Sequence, residues 1–394
     1  MISQAELTDI RNNTPGCKNN IHLNNAGAGL MPLPVLKTIK DHLDLEAEIG
    51  GYEAAKQEAH RTRAVYEAAS RLLNCKAENI AFTAHATDSY AKALSSIPFE
   101  RGDIILTTHE DYTSNQIAFL SLKKRFGIEI VRIPGTQKGG VDLDEAWQLI
   151  RRLRPALVAV THMPTNSGLI QPVEEIGKYC HDQHILYLVD ACQTVGQLNL
   201  DVQQIGCHFL STTCRKFLRG PRGMGLLYVA DSILEGGYEP LFIDMNGARW
   251  EEKDIYIPSE TAQRFEDWEF PYALILGTGA AIDYALKLGM DRIEESVRFL
   301  ADYMRESLGS TDKIRLLDRG VDQGGIITVS LKNREPEELR AMLHEHHINT
   351  SVSSREAGVI DFDEKGVNSA LRISPHYYNT VEEIDFFTSI IKKL

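Results

Sequence analysis

Short apolar runs recur along the chain, at 80–83, 103–109, 128–133, 157–162, 185–189, 207–210 and 226–229. Each is a nearly continuous run bounded by polar or turn residues, the pattern of a strand buried on both faces. Between the runs the apolar positions fall at helical spacing. Val35, Ile39, Leu43 and Leu45 mark one helix, and Val65, Ala69 and Leu72 mark a long one running through about Leu73. The Gly50-Gly51 pair separates them. Strands alternating with helices predict βαβ units, hence an α/β fold with a mostly parallel sheet. Beyond Val229 the pattern loosens. From Asp291 it predicts a smaller α+β unit: a helix at 293–308, a strand at 326–331, a helix through His344, a strand and loop at 348–355, and a last helix. Thr380 and Glu383 have the spacing of a capping box for that helix. The expected division is an N-terminal segment, 1–20, packed on the small unit, a large domain, 21–290, and a small domain, 291–394.

The densest chemistry lies in 185–229. Asp190 ends one strand, at the edge where open α/β sheets bind ligands. Lys216 follows a further apolar run and precedes Gly220-Pro-Arg-Gly-Met-Gly225 and the next strand. An acid for a pyridinium nitrogen and a lysine for covalent attachment are the two groups that pyridoxal phosphate chemistry requires. Alone, Asp190 reads equally as a helix cap and Lys216 as a solvated charge; the framework joins them.

Asp190-Ala-Cys-Gln193, with Lys216 and the Gly/Pro turn after it, resembles the class V aminotransferases among the fold-type I pyridoxal-phosphate enzymes. That group includes cysteine desulfurases, selenocysteine lyases, cysteine C–S lyases, kynureninases and isopenicillin epimerase-like proteins. The phrase 46–55 is similar to one in hercynylcysteine sulfoxide lyases, and also reads as a helix stop and restart. The resemblance spans nearly the whole chain. It implies a mostly parallel seven-stranded sheet with a smaller α+β domain, pyridoxal 5′-phosphate as cofactor, an amino acid as substrate and a homodimer.

It also implies roles residue by residue. Lys216 carries the cofactor and moves the Cα proton, and Asp190 faces the ring nitrogen. Gln193 and Asn166 bond the phenolic oxygen. Ala86, Thr87, Thr213 and Arg215 hold the phosphate, where Arg215 replaces the family's usual histidine and the glycine usual before Thr87 is missing. The same turn reads as a helix start capped by Thr87 or Asp88. Tyr112 stacks on the ring, with His109 as second choice. Arg372 takes the substrate carboxylate, for which its fork is suited. Asn25, in Asn24-Asn-Ala-Gly27, lines the substrate mouth or belongs to a backbone turn. Residues 268–272 approach the partner subunit, by packing more than by cofactor contact.

Composition narrows this little. The 394 residues can bury a large core, and no apolar run reaches the length of a membrane span. The first residues lack the regions of a signal peptide. Six scattered cysteines without a CxxC pair predict a reducing, cytoplasmic setting and no structural metal. Glu345-His-His347 reads as a solvated helix end rather than a metal site. A net charge of -13 argues against nucleic acid as a partner. Three functions follow: a lyase eliminating a sulfur substituent from a cysteine-like amino acid, an aminotransferase, epimerase or desulfurase on the same site, and a non-catalytic cofactor-binding module. The stretch 350–369 holds no cysteine. The resemblance implies that a desulfurase carries its sulfur-accepting cysteine in this stretch, and sulfur transfer needs a thiolate, so the absence favours elimination.

Overall fold

The computed structural model of the chain describes residues 1–310 and 312–393. Its strands in chain order are β1 (Ile21–His22), β2 (Ile80–Thr83), β3 (Ile104–Thr108), β4 (Glu129–Ile133), β5 (Leu157–Thr161), β6 (Leu186–Asp190), β7 (Phe209–Thr213), β8 (Gly225–Val229), β9 (Ala248–Glu252), β10 (Ile255–Pro258), β11 (Ile314–Leu316), β12 (Ile327–Leu331), β13 (Ile348–Asn349), β14 (Ser351–Ser354) and β15 (Ser369–Ile373). Seven of them form one sheet in the order β2-β8-β7-β6-β5-β3-β4. Only β8 runs against its neighbours β2 and β7; the other pairings are parallel. The run expected at 207–210 forms its strand later, at Phe209–Thr213, because Thr212 and Thr213 continue the register opposite Leu226 and Gly225.

Alternation inside the strands divides the core. Val158 and Val160 of β5 face one apolar layer with Val189, Leu210 and Leu226. Leu157 and Ala159 face the opposite layer with Leu188, Phe209 and Leu227. Both faces are covered, so β5 is buried throughout and reads as a continuous apolar run. The stretch expected as one long helix is two, Gly51–Gln57 and Ala59–Leu73.

The smaller unit is an antiparallel sheet in the order β11-β12-β15-β14. Its core includes Leu300, Met304 and Leu308, from the helix Met290–Gly309, with Leu339, Leu371 and Phe387. The first turns of that helix bury Met290, Ile293 and Val297 in the large core instead. At the other end of the chain β1 pairs with β13, and Leu23 enters the small core. Arg11 in the N-terminal helix donates to the Tyr378 carbonyl at 2.8 Å and pairs with Glu383. The capping box forms, with Thr380 N–H to Glu383 and Glu383 N–H to Thr380 Oγ1, both at 3.2 Å. No single helix among the described residues is long and apolar enough to cross a membrane.

Candidate active site

A cavity of about 480 Å³ opens at the carboxyl ends of the parallel strands. Asp190 enters it from β6, Thr213 from β7, and Thr161 from β5. Lys216 reaches it from the turn after β7 and is buried. Desolvation pushes the lysine pKa down, with help from Arg215 and Arg372 and against the pull of Cys192 and Asp190. Asp190 is the one acid among the described residues lining the cavity. Its Oδ1 accepts from the Cys192 N–H at 2.9 Å and its Oδ2 from Asn115 Nδ2 at 3.0 Å.

Asn115 lies in the first turn of the helix Thr113–Phe126 and also donates to Asp111 and Thr161. Asp111 in turn accepts from the Tyr112 N–H at 2.6 Å, which fixes the loop before that helix. Tyr112 lines the cavity. His109 does not; its Nδ1 pairs with Glu364 at 2.8 Å.

The opposite wall is the start of the helix Ala86–Ser95. Its cap is His85, whose Nδ1 accepts from the Asp88 N–H at 3.0 Å, rather than Thr87 or Asp88. Ala86 and Thr87 line the cavity, and their N–H groups have no partner within the helix. Gly225 of β8 permits this approach, since a Cβ there would meet His85 C at 2.5 Å. Arg215 lines the same end and donates to the Gly27 carbonyl at 2.6 Å. Burial, and then Arg222 nearby, lower its pKa.

Gln193 reaches the cavity and donates to the Ala26 carbonyl at 3.2 Å and Thr165 Oγ1 at 3.0 Å. Arg372, on β15, bonds the same Thr165 Oγ1 at 2.8 Å, which places it beside this wall. Two expected residues are turned away. Asn166 does not line the cavity; its amide donates to Asp361, a residue of the small unit that reaches it across the joint. Thr165 takes the wall position instead. Asn25 is wholly buried, donating to the Ser374 carbonyl at 2.8 Å and accepting from the Tyr378 hydroxyl, so its amide is committed to the joint.

Matching this arrangement, the family model for aminotransferase class-V covers residues 21–387. The chain belongs to that family. As a class-V aminotransferase family member it is a pyridoxal-phosphate enzyme. Among curated proteins, the probable cysteine desulfurase of Methanothermobacter thermautotrophicus is 26% identical over 98% of this chain and 97% of its own length. The probable hercynylcysteine sulfoxide lyase of Mycobacterium tuberculosis is 26% identical over 94% of this chain and 89% of its own. Among solved structures, the apo cysteine desulfurase of Thermococcus onnurineus NA1 superposes with a TM-score of 0.91 at 25% identity, covering 100% of this chain and 99% of the other.

The residues present fit the cofactor. Gln193 Oε1 is buried at the cavity wall without a partner. The first-turn amides of the helix Ala86–Ser95 and Arg215 offer donors for a phosphate. Asp190 offers an acceptor for a ring nitrogen. Cys192, Thr165 and Arg222 line the cavity, and Asn115 and Arg219 brace residues around it, though sequence reading singled out none of them. Arg219 is buried and ties the lysine turn to the Leu30 carbonyl, Thr14 Oγ1 and the Tyr377 hydroxyl at 2.7, 2.6 and 2.7 Å. Among the described residues no group of His, Cys, Asp and Glu could hold a metal ion.

Proposed function

We propose that this family member cleaves a C–S bond of a cysteine-derived amino acid by β-elimination. One observation carries the choice of elimination over sulfur transfer: the stretch 350–369 offers no thiol, and the one thiol lining the cavity is not held as a thiolate. Residues 350–369 contain no cysteine. Burial pushes the thiols of Cys17 and Cys75 up to about 11 and about 12. Cys214 is pushed to about 12, also by burial, and Cys180 and Cys207 shift in the same direction. Cys192 is on the cavity wall, but burial and the adjacent Asp190 hold its thiol protonated. A nucleophilic acceptor requires the thiolate.

When bound, pyridoxal phosphate supplies an electron sink for the charge left at Cα. In this reading Lys216 binds it and then takes the Cα proton, a task suited to an amine whose pKa burial has lowered. Asp190, held by Asn115 and the Cys192 N–H, keeps a proton on the ring nitrogen. Gln193 bonds the phenolic oxygen, Tyr112 covers the ring, and Ala86, Thr87, Thr213 and Arg215 hold the phosphate. Arg372 holds the α-carboxylate and so orients the Cα–H bond toward Lys216. The C–S electron pair leaves with sulfur, and the unsaturated product hydrolyses to pyruvate and ammonia.

The names of the relatives and the position of Cys192 favour a second reading, desulfuration. Cysteine, cystine and cysteine sulfoxide conjugates distinguish the two. Elimination yields pyruvate with no enzyme persulfide. Alanine with a persulfide on Cys192 would sink it, and turnover only with added keto acid would point to transamination. We further propose a cytoplasmic homodimer with no nucleic-acid partner. Its support is an apolar hollow of about 890 Å³ bordered by Tyr52, Trp268, Phe270 and Tyr272, with Tyr52 75% and Trp268 53% exposed. A fully active monomer in sedimentation analysis would contradict the dimer.

A further inference from the structure

Arg222 has no assigned part in the site. It lies on the turn between Lys216 and β8, is exposed, and lines the cavity that Ala86 and Thr87 also line. Its guanidinium makes no hydrogen bond or ion pair among the described residues. Arg215 lines the same cavity, and burial, then the charge of Arg222, disfavours its own cation. Among the described residues no acid but Asp190 lines the cavity, and Asp190 is occupied by Asn115 and the Cys192 N–H. Two unneutralised guanidinium groups beside the free first-turn amides of Ala86 and Thr87 repel each other until an anion joins them.

We infer that Arg222 is a ligand of the cofactor's phosphate, completing with Arg215 and the Ala86–Ser95 helix start an anion site built within one subunit. The inference rests on pyridoxal phosphate being the cofactor. A dianionic phosphate between two guanidinium groups offsets their repulsion.

The test compares two cofactor forms that differ only in the phosphate. Dimeric apoprotein is titrated with pyridoxal phosphate and with pyridoxal, and binding is followed by quenching of protein fluorescence. Arg222→Gln is expected to weaken pyridoxal phosphate at least about tenfold while leaving pyridoxal within about twofold, the loss of one charge-assisted bond. Arg222→Lys should recover part of the difference. Circular dichroism checks folding, which an exposed side chain without partners should not disturb. Equal effects on both forms, or none on either, would overturn the inference. So would an unchanged preference with a raised KM for anionic substrates, which would move Arg222 to the substrate's distal end. If the parent protein saturates with neither form, the cofactor assignment itself falls, and the inference with it.

Discussion

Arg372 offers the sharpest test of substrate recognition. Its Nε donates to Ser351 Oγ at 3.0 Å, and its Nη1 to the Thr165 carbonyl at 3.1 Å and Thr165 Oγ1 at 2.8 Å. Nη2 has only a long contact, 3.5 Å to Asn24 Oδ1. All these partners are neutral. Burial, and then Arg215, pull the guanidinium pKa down to about 10, so the free enzyme holds a desolvated cation without a counter-ion. A substrate carboxylate would supply that counter-ion through two charge-assisted bonds. At about 1.5–3 kcal/mol each, less than full additivity gives a loss of about 3–4 kcal/mol when they are removed. Arg372→Gln should therefore raise the KM for cysteine roughly a hundredfold or more, with a smaller change in kcat. Cysteamine, which lacks the carboxylate, should bind both proteins alike. The assay is competition by cysteamine and cysteine against a chromogenic cysteine conjugate. Equal weakening of both compounds would show that Arg372 only supports the wall, and the recognition argument would fail.

Lys216→Ala should abolish both the absorbance of covalently held cofactor and turnover; a variant keeping either would remove the lysine from its role. Asp190→Asn should still bind cofactor but lose turnover by about a hundredfold or more, because the amide cannot sustain the ring proton. An unchanged rate would make the acid structural. Glu266 tests the fold: it is buried, accepts from the Phe82 N–H at 2.7 Å and the Tyr66 hydroxyl at 2.8 Å, and burial raises its pKa from 4.5 to about 7. Between those values the folded chain keeps a proton that the unfolded chain releases, so stability falls as pH rises through the window and is then level. The shift corresponds to about 3 kcal/mol. Glu266→Gln, which cannot ionise, should thus gain on the parent by that order between pH 4.5 and pH 8 in denaturant titrations, and a pH-independent difference would refute the reasoning.

How much of this was legible in the sequence depends on the range of the forces involved. The buried strands announced themselves because both faces of β5 and its neighbours are covered, leaving polar residues only toward their carboxyl ends. The capping box was legible because both of its partners lie within one turn. Asp190 and Lys216 were legible because strand ends in this topology converge. Asn166 was not. The direction of its amide is set by Asp361, which arrives from 195 positions away. His109 likewise turns to Glu364 across the joint, leaving Tyr112 at the cavity. Asn115 carried no motif at all. Its importance comes from one hydrogen bond to a carboxylate 75 positions later. Cys192 stood inside the motif, but only the fold shows that it, and not the fully buried Cys214, shares the cavity with Lys216.

The stretch Asn24-Asn-Ala-Gly27, legible from the sequence as either a substrate mouth or a backbone turn, has a structural task. Lys216 belongs to the large sheet and Arg372 to the small one, so their separation must be set by something touching both. The strand that begins at Ile21 does so. It pairs with β13, and Asn25 and Ala26 bond Ser374, just beyond Arg372, at 2.8 and 2.9 Å. On the other side the Ala26 carbonyl holds Gln193, the Gly27 carbonyl holds Arg215, and the Gly29 N–H bonds the Arg215 carbonyl at 2.8 Å. Gly29 packs so closely that a Cβ there would meet the Lys216 carbonyl at 2.5 Å. The buried Asn25 therefore acts as a rivet between the lysine turn and the strand that carries Arg372. Its amide is satisfied on both sides, which is why it has nothing left to offer a substrate.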